Sequence, residues 1–343
     1  MRPDLAGNNL LAADVGGTNL NLALLDPQLR ILRQERFSTQ GEASLEAAAQ
    51  RFLATCAEAG LTAPGLGCAA GAGPVRGRRI QLTNAPWAID GGDLERALGF
   101  PMRVINDFTA VSYGVLRLDP GDPAQLLPLP HPGGPAQADP QGTVLIVGAG
   151  TGLGAGFVTR GTGGPRAFAS EGGHVGLPIL SETTLALWRH LRAGLPGPPG
   201  AELAVSGPGL ARILAFLLDT GRAAPSDRTR AILALPAAER PAAVGAGGDP
   251  ACERALDLFV DLYARVCAEL CAAFLPTGGL FLAGGIAARH GERFLAGDRF
   301  MAAFETNYLE HLDALNRSIP VHIVRDYAIS LYGAAHAARL PEP

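Results

Sequence analysis

No lysine occurs among these 343 residues, so all 28 basic side chains are arginine. That absence removes several classes of chemistry. A Walker A loop and a protein-kinase nucleotide site both place a lysine ammonium on the phosphates. A pyridoxal phosphate enzyme needs one for its Schiff base. Cysteine is scarce as well: Cys56, Cys68, Cys252, Cys267 and Cys271 form no CxxC pair, and nothing implies disulfides. Cys267 and Cys271 lie one helical turn apart in an apolar stretch and read as core thiols. The net charge of −4 offers no basic excess for nucleic acid or an anionic membrane, so neither is expected as a partner. The apolar run 143–158 is too short and too rich in glycine for a membrane span. Residues 1–9 lack the charged start and apolar block of a secretory signal. A cytoplasmic address is the expectation.

What is present points to a folded α/β protein of about two domains, with 48% hydrophobic and 17% charged residues. The most informative stretch is Leu11-Ala12-Ala13-Asp14-Val15-Gly16-Gly17-Thr18-Asn19, followed by alternation through Leu25. It reads as a β-hairpin with glycines in its turn. Such a turn lets backbone N–H groups approach a ligand closely, and an acid beside it can position a hydrated cation that escorts phosphates. A plain hairpin would look the same. The run Val144–Val158 repeats the plan: aligning Thr18 with Thr151 sets Gly17 on Gly150 and Leu20 on Leu153, while Val147 stands where Asp14 would. Two such hairpins suggest two related halves able to grip one polyphosphate.

Along the chain, the pattern predicts strands over 10–25 and 30–37, a helix over 44–59 ended by Gly60, and a strand over 66–70. A loop around Thr83-Asn84-Ala85-Pro86-Trp87 follows, then a helix over 92–98 and a strand over 102–105, with a further helix after Asn106-Asp107. The proline-rich residues 117–142 read as a loop crossing between domains, and 219–250 as surface loop with a short helix. A long amphipathic helix is expected over 251–275, a strand over 279–283 leading to Gly284-Gly285, and a closing strand and helix at 321–324 and 328–339.

Asn106-Asp107 ends an apolar strand, where a carboxylate could take a proton from a substrate hydroxyl. An Asx turn or helix cap would explain the pair equally well. Glu171-Gly172-Gly173-His174 offers an acceptor and an imidazole three residues apart. Its glycines argue for a loop rather than a helix, with both side chains presented to a polar ligand. Glu202, four residues before Ser206-Gly207-Pro208-Gly209, would pass alone for a surface acid. Gly150-Thr-Gly152-Leu-Gly-Ala155 matches a dinucleotide fingerprint, but it falls between two strand-like runs instead of opening a helix.

Taken in order, Asp14–Asn19, Thr83–Trp87, Ile105–Val111, Gly148–Gly154, Glu171–Val175, Glu202 with Ser206–Leu210, and Ala283–Ile286 resemble the bacterial glucokinase family of the hexokinase–actin–Hsp70 superfamily. The resemblance implies two actin-like, ribonuclease H-like α/β domains with a cleft between them: a small one of 1–116 plus 325–343 and a large one of 117–324. It implies ATP-dependent phosphorylation of glucose at its 6-hydroxyl. Asp107 falls on the catalytic base, and Asn106, Asp107, Glu171, His174 and Glu202 on positions that hold the sugar. Asp14, Gly16, Gly17, Thr18, Asn19, Gly150, Thr151, Gly152, Gly284 and Gly285 fall on nucleotide positions, with Asp14 on Mg²⁺ through water. The expected cofactors are ATP and Mg²⁺, and the expected partners are glucose and ATP, with a homodimer allowed but not required. Another hexose or amino-sugar kinase, or a sugar sensor without turnover, are the alternatives. Related ROK sugar kinases carry a cysteine-rich zinc motif after the His; no cysteine lies there, so no structural zinc is expected.

Overall fold

The structure, a computed structural model, describes residues 7–82 and 87–340. Most of the anticipated loop at Thr83–Pro86 lies outside the described residues. The chain divides into two compact units: residues 1–119, 165–169 and 326–343 form one, and 120–164 with 170–325 form the other.

In the first unit, β1 (Asn9–Val15) and β2 (Asn19–Leu25) form the anticipated hairpin, with Ala13 opposite Leu22 and Val15 opposite Leu20. β3 (Ile31–Ser38) pairs antiparallel with β2, and β4 (Pro64–Gly71) parallel with β1. A small antiparallel sheet of β5 (Val75–Arg76), β6 (Arg79–Gln81) and β7 (Ala88–Asp90) precedes β8 (Met102–Asn106), which lies parallel to β4. Side chains alternate across β1, and the two faces feed different cores. Leu11, Ala13 and Val15 pack with Leu45, Ala49 and Phe52 of α1 (Leu45–Glu58). Leu10 and Ala12 pack with Ala110 and with Leu331 and Ala334 of the C-terminal helix Ile329–Arg339. Ser44 caps α1 by accepting from the Ala47 N–H, and Gly60 leaves the helix at φ 75°. Two short helices complete the layer order: α2 (Gly91–Leu98) and α3 (Asp107–Val115).

The second unit repeats this plan. β9 (Leu126–Leu129) comes first in sequence, then the hairpin of β10 (Val144–Ala149) and β11 (Leu153–Gly161); β12 (Gly164–Ser170) follows, its residues 165–169 being those grouped with the first unit. β13 (Gly279–Ala283) lies parallel to β10, and β14 (Val321–Val324) parallel to β13. Each unit thus carries a glycine hairpin followed by two parallel strands, β2-β1-β4-β8 in one and β11-β10-β13-β14 in the other. The fingerprint at 150–155 is therefore a hairpin turn and not the entry to a helix. The core of the unit centres on α8 (Pro250–Phe274), and α8's Tyr263 donates its hydroxyl to the Val147 carbonyl at 2.8 Å.

Two expectations need correction. The proline-rich 117–142 contains a strand, β9, which pairs antiparallel with β14 and sets Pro128 opposite His322. It is an edge strand, where a missing N–H is tolerated. Residues 219–250 hold two helices rather than one. After α4 (Glu182–Arg192) and α5 (Gly207–Asp219) come α6 (Asp227–Ala234) and α7 (Arg240–Gly245). α6 opens with a reciprocal cap in which Thr229, not Glu or Gln, answers Ser226, so the usual capping signature is missing from the sequence.

Candidate active site

The first unit's polar cluster is built where two helices begin. Asn106 caps α3: its Oδ1 accepts from the N–H groups of Phe108 (2.9 Å) and Thr109 (3.2 Å). Its Nδ2 donates to the Gly73 carbonyl (3.1 Å) and to Asp107 Oδ1 (2.9 Å). All four hydrogen-bonding positions of that amide are committed within the protein. The cap that the sequence allowed for Asp107 thus belongs to its neighbour. Asp107 is the first residue of α3, and its Oδ1 also accepts from the Phe108 N–H at 2.9 Å. No other described residue donates to Oδ2. Asp14, half-buried on β1, accepts the Ser330 hydroxyl at 2.8 Å and feels the charge of Asp107.

Close helix packing brings these residues together. α3 and the C-terminal helix cross at Gly333, where a Cβ would stand 1.7 Å from the Ala110 carbonyl oxygen. Only glycine permits that approach. It sets Ser330, one turn earlier, against β1. Burial raises the affinity of Asp107 for a proton above the ordinary carboxylate, against the lowering effect of its backbone and Asn106 hydrogen bonds. Asp14 is raised too, first by burial and further by Asp107, while the Ser330 and Asn21 hydrogen bonds pull the other way. Two nearby carboxylates, both disfavoured as anions, suit a cation beside one and a proton acceptor at the other.

The turn Gly16-Gly17-Thr18 is braced from outside by Thr39, a buried residue just after β3. Its hydroxyl donates to the Gly16 carbonyl (2.8 Å) and its N–H to the Thr18 carbonyl (2.9 Å). Asn19 accepts from Arg36 Nε at 3.0 Å, which brings a guanidinium to the hairpin. Sequence reasoning missed Thr39, Arg36 and Ser330. Only cross-strand pairing and helix packing reveal them, since each lies well away from any motif.

In the second unit, Gly172–His174 is one turn of 3₁₀ helix where a loop was expected. Residues three apart eclipse in that geometry, so Glu171 and His174 point the same way, with Glu171 Oε2 3.6 Å from His174 Nε2. Both face solvent, at 92% and 59% side-chain exposure, open to a ligand. The turn lies directly on β11: a Cβ at Gly173 would stand 1.7 Å from the Leu153 carbonyl oxygen. A second 3₁₀ turn, Ala201–Leu203, is tied to the first by a Gly176–Gly200 bridge and by the Ala201 N–H on the Val175 carbonyl (2.7 Å). It carries Glu202, whose Oε2 accepts the Leu153 N–H at 2.9 Å. The two 3₁₀ turns that carry Glu171, His174 and Glu202, up to 31 positions apart in sequence, therefore both rest on Leu153, the first residue after the Gly150-Thr151-Gly152 turn. Gly284, at φ 93°, comes close to the base of the same hairpin, where a Cβ would meet the Ala149 carbonyl oxygen at 2.4 Å; Gly285 opens the helix Gly285–Arg289.

Hairpins of this kind in two topologically matched α/β units, one with paired carboxylates and the other with an acid–imidazole–acid set, define a sugar kinase of the actin-like ATPase class. Comparison with known proteins agrees. A family model described as Glucokinase matches residues 11–341. A glucokinase of Nostoc sp. (strain PCC 7120) is 32% identical over 352 aligned residues, which cover 96% of this chain and 99% of that protein. One of Caulobacter sp. (strain K31) is 31% identical over 333, covering 95% and 94%. The crystal structure of a glucokinase from an Antarctic psychrotroph shares the two-domain actin-like fold, with a TM-score of 0.80 at 28% identity over 96% of this chain and 98% of that one. The chain belongs to the glucokinase family.

Proposed function

We infer that this protein transfers the terminal phosphoryl group of ATP to the 6-hydroxyl of glucose, with Asp107 as the general base. Membership of the family carries the activity; the assignment to Asp107 rests on its geometry. One oxygen is fixed by Phe108 and Asn106 while the other stays without a partner among the described residues, and burial makes the carboxylate a better base. A base with a raised pKa accepts a hydroxyl proton more readily near neutral pH.

In the forward step Asp107 takes the proton of the 6-hydroxyl as its oxygen attacks the terminal phosphorus. The bond from that phosphorus to the bridging oxygen breaks, and ADP leaves with the electron pair. Glu171, His174 and Glu202 supply acceptors and a donor for the sugar hydroxyls. Asn106 enters as a positioning residue that orients Asp107, because its amide has no hydrogen bond left to give. The turns at Gly16-Gly17-Thr18-Asn19 and Gly150-Thr151-Gly152 hold phosphate through backbone N–H groups, and Gly284-Gly285 borders the adenosine. Asp14 suits Mg²⁺ held through water: it is a hard oxygen donor with a second carboxylate nearby and no cation bonded to it among the described residues. When bound, the ion would neutralise charge on the phosphates. No described helix is long and apolar enough to cross a membrane, and five buried unpaired thiols fit a reducing, cytoplasmic setting.

A coupled phosphorylation assay tests this across glucose, mannose, fructose and N-acetylglucosamine, with ATP, ADP and polyphosphate as donors. Glucose with ATP should give glucose 6-phosphate, and a chelator should abolish product. Tight glucose binding with no product from any pair would make the protein a sensor.

A further inference from the structure

We propose that Glu202 couples the two substrate sites, acting as a sugar ligand through one carboxylate oxygen and as the positioning group of the second phosphate hairpin through the other. This rests on the sugar-site reading above and extends it. The Oε2 atom holds the Leu153 N–H at 2.9 Å, the residue that leaves the Gly150-Thr151-Gly152 turn. No described residue donates to Oε1. The carboxylate sits so tightly on the turn that a Cβ at Gly152 would lie 2.6 Å from Oε2.

The segment around Glu202 grips the hairpin at two further points. The Gly207 N–H donates to the Gly150 carbonyl at 2.7 Å, and the Gly150 N–H closes the turn on the Gly152 carbonyl at 2.8 Å. The Ser206 hydroxyl donates to the Glu202 carbonyl (2.7 Å) and accepts the Gly209 N–H (3.0 Å), which locks Glu202 to the start of α5. Of these contacts, only the Glu202 side chain meets the turn with one atom and remains open with the other. The first hairpin is braced differently, by the hydroxyl and N–H of Thr39, and neither group of Thr39 belongs to the set proposed for the sugar. A sugar hydroxyl bound at Oε1 draws on the same carboxylate that holds Leu153, so occupancy of the sugar site shifts that hold. Linkage then makes the effect reciprocal: sugar changes nucleotide affinity by the factor by which nucleotide changes sugar affinity.

Calorimetry on the full chain tests this without turnover, using glucose alone, AMPPNP with Mg²⁺ alone, and each in the presence of the other. Glu202→Ala should weaken AMPPNP binding in the absence of sugar by roughly 3- to 10-fold, the worth of one lost hydrogen bond. Glu202→Gln retains a carbonyl acceptor for Leu153 and should bind AMPPNP as the native chain does, while its glucose affinity falls. Gly152→Ala drives a methyl into the carboxylate and should weaken glucose binding from a residue outside the sugar set. Combined with Glu202→Ala, where the obstructing carboxylate is gone, it should add nothing to that loss. Unchanged AMPPNP affinity in Glu202→Ala, with glucose binding lost, overturns the coupling and leaves the sugar site standing. Unchanged glucose affinity in both Glu202 variants overturns the coupling and removes Glu202 from the sugar site. Should Glu202→Ala not fold, the Gly152→Ala and Glu202→Gln pair decides: Gly152→Ala with native glucose affinity overturns the proposal.

Discussion

At the scale of single residues, Asp107 carries two opposed effects. Burial disfavours its ionised form, so the charge that makes it a base also costs stability in the folded state. Asp107→Asn keeps the size, removes the charge and cannot accept a proton. It should lower kcat by about 10²- to 10⁴-fold and leave glucose affinity within about tenfold. It should also raise the melting temperature, because the penalty disappears with the charge. A near-native kcat would reduce Asp107 to a structural residue. In the native enzyme kcat should decline as pH falls through the raised pKa of Asp107, so the acid limb should lie above 3.8, the unperturbed value. The sequence left open whether Asp107 was base or cap. The structure separates the roles by giving the cap to Asn106, a choice that depends on the φ and ψ of one residue and on the distant Gly73 carbonyl.

At the scale of elements, the hairpins and long helices were legible because periodicity and glycine are local signals. β1, β2, β13 and β14 fall where their short apolar runs put them, and α8 begins and ends within one residue of the expected 251–275. β9 and α6 were not legible. β9 pairs with a strand nearly 200 residues away, and α6 uses a threonine in place of the usual acid or amide. The 3₁₀ turn at Gly172–His174 owes its form to packing on β11, which demands a residue without a Cβ at 173. Gly173→Ala should therefore shift the turn off Leu153, cost about 1–3 kcal/mol of stability, and raise KM for both glucose and ATP. Gly176→Ala, where nothing lies within 4 Å of the added carbon, is the matched control and should change little. Equal melting temperatures and KM values in the two variants would rule out this packing role.

At the scale of the whole molecule, three half-buried histidines set the response to acid. Burial lowers the proton affinity of His290, His322 and His336, with nearby arginines adding to the effect at His290 and His336. Above the ordinary imidazole value of 6.5 these groups are neutral whether folded or not. Below it the unfolded chain takes up protons that the folded chain resists, so stability falls. Asp14 and Asp107 act in the opposite sense. Their raised folded values let the native state bind protons first, which returns stability as pH approaches 3.8. The melting temperature should drop between about pH 7.5 and 5.5. His322→Phe, which preserves the stack on Phe281, should flatten that slope. A flat profile in the native protein would exclude the histidines as its cause.

The sequence by itself determined the chemistry on offer: no lysine to hold phosphate, two glycine hairpins, and an ordered set of acids and a histidine in an α/β chain. These are matters of composition and short-range pattern, which the backbone expresses within a few residues. Tertiary structure alone decided what each group does. The crossing of two helices at Gly333 delivers the Ser330 hydroxyl to Asp14, more than 300 positions away. The approach of Gly173 to Leu153 and the reach of Glu202 to the same residue set two separate 3₁₀ turns against the start of one strand. Such contacts depend on close packing between elements remote in sequence, where a single methyl group is enough to forbid the approach.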